Sequence, residues 1–165
     1  MMATGSNGAK TILCLCNGNY CRSPIAEGLL RKQLEAHCDG RFRVTSAGTT
    51  RAQEGKPPDT RVIQVIRQRG APGFTHTPHH VTPDEVARAD LILAMAAEHC
   101  DWIAEHYPEA RARTMLLSEA IGQSFDIPDP GVEVEVTLEQ IVDLIERCVR
   151  DGIDAIVARA QTRRV

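Results

Sequence analysis

Residues 11–16, TILCLC, run directly into the loop NGNYCRSP and then into IAEGLL, and this junction constrains the chain more than any other segment. A short apolar run with little polar alternation suits a strand buried on both faces of a parallel sheet. Ser23 and Pro24 suit the cap and first turn of a helix whose apolar face is Ile25, Ala26, Leu29, Leu30 and Leu34, with Gly40 as its stop signal. A strand that turns through glycine into a helix is the unit from which parallel α/β sheets are assembled.

The remainder repeats that alternation. FRVTSAG (42–48), ADLILAM (89–95) and RTMLL (113–117) read as further strands. Asp59 caps a helix carrying Val62, Ile63, Val65 and Ile66 with Gly70 just past its end, and residues 97–106 form another. Thr82-Pro-Asp-Glu85 and Thr137-Leu-Glu-Gln140 have capping-box spacing, the first opening a short helix and the second a long one to about residue 158. Residues 122–135, rich in Gly, Pro and Asp, read as a loop. The expected fold is a three-layer α/β sandwich with helices on both faces of a parallel sheet, one domain over 11–160 behind a flexible tail, 1–10. Ligands in such folds bind beyond the carboxyl ends of the strands, where Cys16 stands.

A net charge of -3 with no basic run excludes nucleic acid as a general partner, so any anion site is local. No stretch has membrane-spanning length and MMATGSNGAK lacks the apolar block of a signal peptide, so no membrane association and a cytoplasmic location are expected. The six cysteines (14, 16, 21, 38, 100 and 148) lie in strand-like and helical stretches and read mainly as buried small hydrophobes. Cys16 is the exception.

A loop from strand to helix that contains Gly18 can turn several backbone N–H groups inward, a concavity that binds a phosphate-sized dianion. Arg22 adds a planar fork for two of its oxygens. The same field acts on Cys16: free thiols titrate near about 8.5, but those at helix N-termini beside a cation fall to about 3.5–7.5, so a thiolate nucleophile is expected. Cys14 is expected on the opposite side of the strand, in the core. Asp129 precedes Pro130, which biases it to extended backbone, and one carboxyl there can protonate a leaving atom and then activate water. HTPHH (76–80) lacks the i, i+4 spacing of zinc sites, so no metal is expected, and His37, His99 and His106 read as solvated helix positions.

CNGNYCRSPIAEG resembles the signature loop of the low-molecular-weight protein tyrosine phosphatase family, and TSAGT (45–49), GKPPD (55–59), ADLILAM and DIPDP (126–130) fall in that family's order and spacing. The resemblance implies a four-stranded twisted parallel sheet in order 2-1-3-4. It implies Cys16 as nucleophile forming a phosphocysteine, Arg22 as phosphate clamp, Ser23 as a hydroxyl easing the thiolate's departure, and Asp129 as general acid. Asn17, Gly18, Asn19, Tyr20, Cys21 and Ser23 would line the substrate loop, with Asn19, Ser46 and His76 holding it in shape. Phosphorylated proteins or peptides would be substrates, inorganic phosphate and vanadate inhibitors, and the protein a monomer without cofactor. Cys21 either packs beneath the loop or, as the family implies, forms a reversible disulfide with Cys16.

Tyrosine-directed members typically carry aromatic residues where this chain has Gly131-Val132 and Thr50-Arg51-Ala52-Gln53, and Met-Asp where it has Met95-Ala96. ADLILAM followed by a small residue is similar to the protein-arginine phosphatase branch, but that branch has threonine where Tyr20 stands. An arsenate reductase of the same fold would need a further downstream cysteine pair, and Cys100 has no close partner in sequence. A phosphate-binding module without catalysis would be expected to have lost Cys16, Arg22 or Asp129, and all are present.

Overall fold

The computed structural model describes residues 8–38, 41–133 and 135–163, with only the backbone of Cys38; residues 1–7 of the expected tail and the stop signal at Gly40 lie outside them. Strand β1 (Lys10–Cys16) occupies the middle of the sheet. It pairs in parallel with β2 (Phe42–Gly48) on one side and β3 (Leu91–Ala94) on the other, and β4 (Thr114–Leu116) pairs in parallel with β3. The order β2-β1-β3-β4 is the expected one.

Both faces of β1 are buried, which is why its sequence hardly alternates. Ile12, Cys14 and Cys16 join the larger core with Leu29 and Leu30 of α1 (Arg22–Cys38) and with Ile141, Ile145 and Ile156 of α5 (Leu138–Gln161). Leu13 and Leu15 face the other way, onto Val86 of α3 (Pro83–Arg88) and Ile103 of α4 (Ala97–His106). Each fully buried aliphatic side chain is worth about 1.5–3 kcal/mol, so the strand that carries the loop is strongly held. Cys14 and Cys16 therefore share a face, which corrects the expectation of opposite sides: strand side chains repeat every second residue, so i and i+2 point alike. Burial pushes the Cys14 thiol well above its ordinary range, consistent with a core role.

Several boundaries follow the local chemistry read from the sequence. Asp59 caps α2 (Thr60–Gln68) by accepting from Arg61 N, and the Thr82/Glu85 and Thr137/Gln140 capping boxes are both closed. Other boundaries do not. Helix α1 begins at Arg22, so Ser23 is its second residue rather than its cap, and its hydroxyl is used elsewhere. Strand β4 is shorter than the run 113–117 because both ends turn into 3₁₀ helices, Pro108–Arg113 and Leu117–Ile121. Arg113 is buried and donates to the carbonyls of Val86, Ala89 and Glu109, which ties the end of α3 to the start of β4. Among the described residues no helix is long and apolar enough to cross a membrane.

Candidate active site

At the carboxyl edge of the sheet Cys16 pairs with Gly48, and the chain beyond each strand end continues the pairing: Thr49 N donates to Cys16 O (2.9 Å) and Thr50 N to Asn17 O (3.0 Å). Gly48 is required here, because a Cβ on it would lie 2.5 Å from Asn17 O and 3.0 Å from Gly18 C. The amides of Gly18, Asn19, Tyr20 and Cys21 donate to no protein oxygen among the described residues. They belong to the arc between Cys16 and the first turn of α1.

Asn19 sets the shape of that arc. Its backbone is left-handed (φ 56°), the only non-glycine so placed among the described residues, and Asn tolerates this conformation better than most side chains. Fully buried, it donates from Nδ2 to Ser23 Oγ (2.9 Å) and Ser46 Oγ (3.0 Å) and accepts from His79 N at Oδ1 (3.1 Å). Its carbonyl accepts from His76 Nε2 (2.8 Å), a ring whose pKa is lowered mainly by burial. Ser46 in turn donates to Glu27 Oε1 (2.9 Å), a buried carboxyl raised by burial and paired with Arg31 (3.1 Å). Because Asn19 supplies the hydrogen to Ser23 Oγ, the Ser23 proton is free for Cys16 Sγ, 3.0 Å away.

Arg22 is 3% exposed. It donates from Nη1 to Ile127 O (3.0 Å), and its Nη2 lies 3.4 Å from Asp129 Oδ2. Residues 125–129 are anchored to the body of the protein: Phe125 holds Ser118 through both its N–H and its carbonyl, Asp126 accepts from Ala97 N (2.8 Å), and Ile127 N donates to Met95 O (2.8 Å). Beyond Asp129 the chain closes on itself, with Gly131 N on Asp129 Oδ1 (2.9 Å) and Val132 N on Asp129 O (3.1 Å). Cys16, Gly18, Tyr20, Arg22, Asp129 and Val132 all line one cleft of about 300 Å³, together with Thr50, Ala52 and Gln53.

Of the site residues read from the sequence, Cys16, Asn17, Gly18, Tyr20, Cys21, Arg22 and Asp129 line the cleft, Ser23 bonds to Cys16 Sγ, and Asn19, Ser46 and His76 stand behind the loop, Ser46 and His76 each hydrogen-bonded to Asn19. Cys21 is an unbonded thiol packed against the core, pushed up to about 12 by burial and then by neighbouring Cys16. His37 and His106 are exposed as expected, but His99 is not: it is 1% exposed and belongs to the site. Its Nδ1 accepts from Ala96 N (3.0 Å) and its Nε2 donates to Asn17 Oδ1 (2.7 Å). The only sequence signal was its place three residues after the cap position, Ala96, where a side chain can reach back to the capping N–H. Cys100 is buried and pushed up to about 11 by burial.

A Cys-x5-Arg-Ser loop at the carboxyl end of the central strand of a parallel sheet, facing an Asp-Pro loop, defines the class of α/β cysteine-dependent phosphatases. Residues 11–162 match the low molecular weight phosphotyrosine protein phosphatase family, and the chain belongs to it. It is 34% identical over 142 residues to the low molecular weight protein-tyrosine-phosphatase Etp of Escherichia coli K12, covering 86% of this chain and 91% of Etp. It is also 33% identical over 151 residues to a protein-arginine-phosphatase of Geobacillus stearothermophilus, covering 90% and 91%. Among solved structures, Vibrio vulnificus Wzb in complex with benzylphosphonate superposes with a TM-score of 0.70 at 32% identity, covering 93% of this chain and 99% of that one.

Proposed function

We propose that the protein hydrolyses phosphotyrosine-type phosphomonoesters on proteins or peptides through a phosphocysteine intermediate. The observation that carries this reading is the convergence of Cys16, Arg22 and Asp129 on one cleft, with Arg22 Nη2 3.4 Å from Asp129 Oδ2. The free loop amides and the Arg22 fork hold the phosphoryl oxygens, and the Cys16 sulfur attacks phosphorus from below. Asp129 gives its proton to the departing ester oxygen, then takes one from the water that cleaves the sulfur–phosphorus bond. The Ser23 hydroxyl, aimed at Sγ by Asn19, stabilises the thiolate as it leaves.

Charge on the phosphoryl group is balanced by Arg22 and backbone amides, so turnover is expected to survive chelators and to be blocked competitively by inorganic phosphate or vanadate. We further read the protein as a cytoplasmic monomer that acts without a cofactor. Tyr20 is half-buried at the cleft and Val132, 75% exposed, stands with it among the lining residues, an apolar surface suited to a phenyl leaving group.

Kinetics on an aryl phosphate test the assignment. Cys16→Ser should abolish turnover while retaining phosphate binding, and Asp129→Asn should slow it by about 10²- to 10⁴-fold. Asp126→Asn should do far less, since Asp126 is occupied with the amide of Ala97. Turnover in Cys16→Ser, or an exchange of the two aspartate effects, would refute the roles.

A further inference from the structure

His99 is a buried titratable group beside the cleft that the proposed chemistry does not use, and its hydrogen bonds are unambiguous. The N–H of Ala96 can only donate, so Nδ1 of His99 accepts and the ring proton sits on Nε2. Nε2–H therefore requires an oxygen, which fixes the carboxamide of Asn17 with Oδ1 toward His99 (2.7 Å). The amino group of Asn17 then faces the other way, 3.5 Å from Asp129 Oδ2. Helix α4, the phosphate loop and the Asp-Pro loop are joined in one directed chain.

We propose that His99 and Asn17 are positioning residues for Asp129, holding Oδ2 in the cleft when a bound phosphate occupies the Arg22 fork. The inference rests on the reading of Asp129 as general acid. Among the described residues two groups touch Oδ2: Arg22 at 3.4 Å and Asn17 at 3.5 Å. Once the guanidinium turns to a substrate, Gly131 N holds the other carboxyl oxygen, Oδ1, at 2.9 Å, while the partner left to Oδ2 among the described residues is Asn17. Its N–H favours the carboxylate that forms as the proton leaves, so it stabilises the acid's product form at the moment of transfer. Burial and then the Arg22 charge hold His99 down to about 4, so the ring stays neutral and the chain keeps its direction at working pH. The charged groups facing His99 are Arg22, Asp126, Asp129 and, 3.5 Å away, Glu98; the titratable groups facing Asp129 are the charged Arg22 from α1, the neutral Cys21 thiol from the loop and the neutral His99 ring from α4.

Two substitutions separate this role from simple helix capping. Asn places a polar atom where His has Nδ1, and Gln places one where His has Nε2. His99→Asn thus keeps the acceptor for Ala96 and loses the donor to Asn17, while His99→Gln keeps the donor. The kcat/KM of phenyl phosphate, whose leaving group needs the acid, is compared with that of p-nitrophenyl phosphate, whose leaving group needs it little, across pH with the full-length protein; kcat/KM reports formation of the phosphocysteine and not the later water step that both esters share.

His99→Asn should lose roughly three- to tenfold in kcat/KM on phenyl phosphate and less than about twofold on the nitrophenyl ester, a fraction of the worth of the whole acid. Its alkaline limb should move up by about half a pH unit, because removing a donor to the carboxylate raises the acid's pKa. His99→Gln should stay close to wild type in both readouts. In an Asp129→Asn background His99→Asn should add nothing on either ester, since it acts through Asp129. If His99→Asn folds poorly in thermal melts, Asn17→Ala carries the same test: it removes the donor to Asp129 without adding charge beside the phosphate. Equal losses on both esters with an unmoved alkaline limb, or no loss at all, would overturn the proposal. If Asp129→Asn itself loses equally on both esters, the acid assignment fails instead, whatever the His99 variants do.

Discussion

Replacing Asn19 by alanine tests the central claim about the loop, that one buried amide both bends it and wires it to the body of the protein. The side chain makes three hydrogen bonds, two donated to Ser23 and Ser46 and one accepted from His79 N, with no solvent to replace them. At about 1 kcal/mol net per bond the loss is about 3 kcal/mol, and the His79 N–H left unpaired adds to it. Alanine at φ 56° adds about 1 kcal/mol of steric cost. The sum, roughly 4–5 kcal/mol, should lower Tm by about 8–20 °C for a chain of this size. Asn19→Gly loses the same bonds but not the backbone cost, so it should melt a few degrees above the alanine variant. Both should lose about 10²-fold in kcat, the usual consequence of displacing reacting groups by about 1 Å. Calorimetry and aryl-phosphate kinetics on the two variants decide it. An alanine variant that melts within about 2 °C of wild type, or a glycine variant that melts no higher than alanine, would refute the account.

Gly48→Ala should cost activity more than stability, because the added Cβ meets Asn17 O at 2.5 Å and the loop yields before the strand does; kcat should fall at least about tenfold in steady-state kinetics. Acid should destabilise the protein through His99, whose folded pKa of about 4 lies below its ordinary 6.5. The unfolded chain then binds the proton first, so stability is intact above about 6.5 and falls by about 1.4 kcal/mol per pH unit down to about 4, after which this contribution is exhausted. Urea titrations from pH 7 to 4 should show the decline, and His99→Gln should flatten it. Tyr20→Thr should lower kcat/KM on phosphotyrosine peptides by roughly three- to tenfold, the worth of one aromatic contact, and raise it on phosphoarginine peptides. An unchanged ratio between the two peptides would assign Tyr20 to packing alone.

What could be read from the sequence is what local chemistry determines. The apolar run of β1, the caps at Asp59, Thr82 and Thr137, and the Cys16-to-Ser23 loop each carry their signal within a few residues. Ser23 shows where such rules fail: it satisfies the N-cap preference, yet tertiary structure directs its hydroxyl to Cys16. His99 shows another failure, since its partner Asn17 is 82 residues away and only its place in the first turn of α4 hints that it is not a solvated helix position. The 3₁₀ turns around β4 depend on Arg113 reaching carbonyls of α3 and on Ser118 reaching Phe125, contacts no periodicity encodes.

The anchoring of residues 125–129 has an evolutionary consequence. The carboxyl of Asp129 sits at the end of a stem fixed by Ser118, Ala97, Met95 and Arg22, whereas the amides of Gly131 and Val132, among the described residues, bond back to Asp129 alone. A change at Val132 alters the wall of the cleft without loosening the stem, whereas a Cβ at 131 would lie 3.3 Å from Asp129 Oδ1, so sequence drift at 132 can explore new leaving groups at little cost to the proton donor. Relatives on one scaffold can in this way diverge toward chemically different phosphorylated side chains while the machinery beneath stays constant.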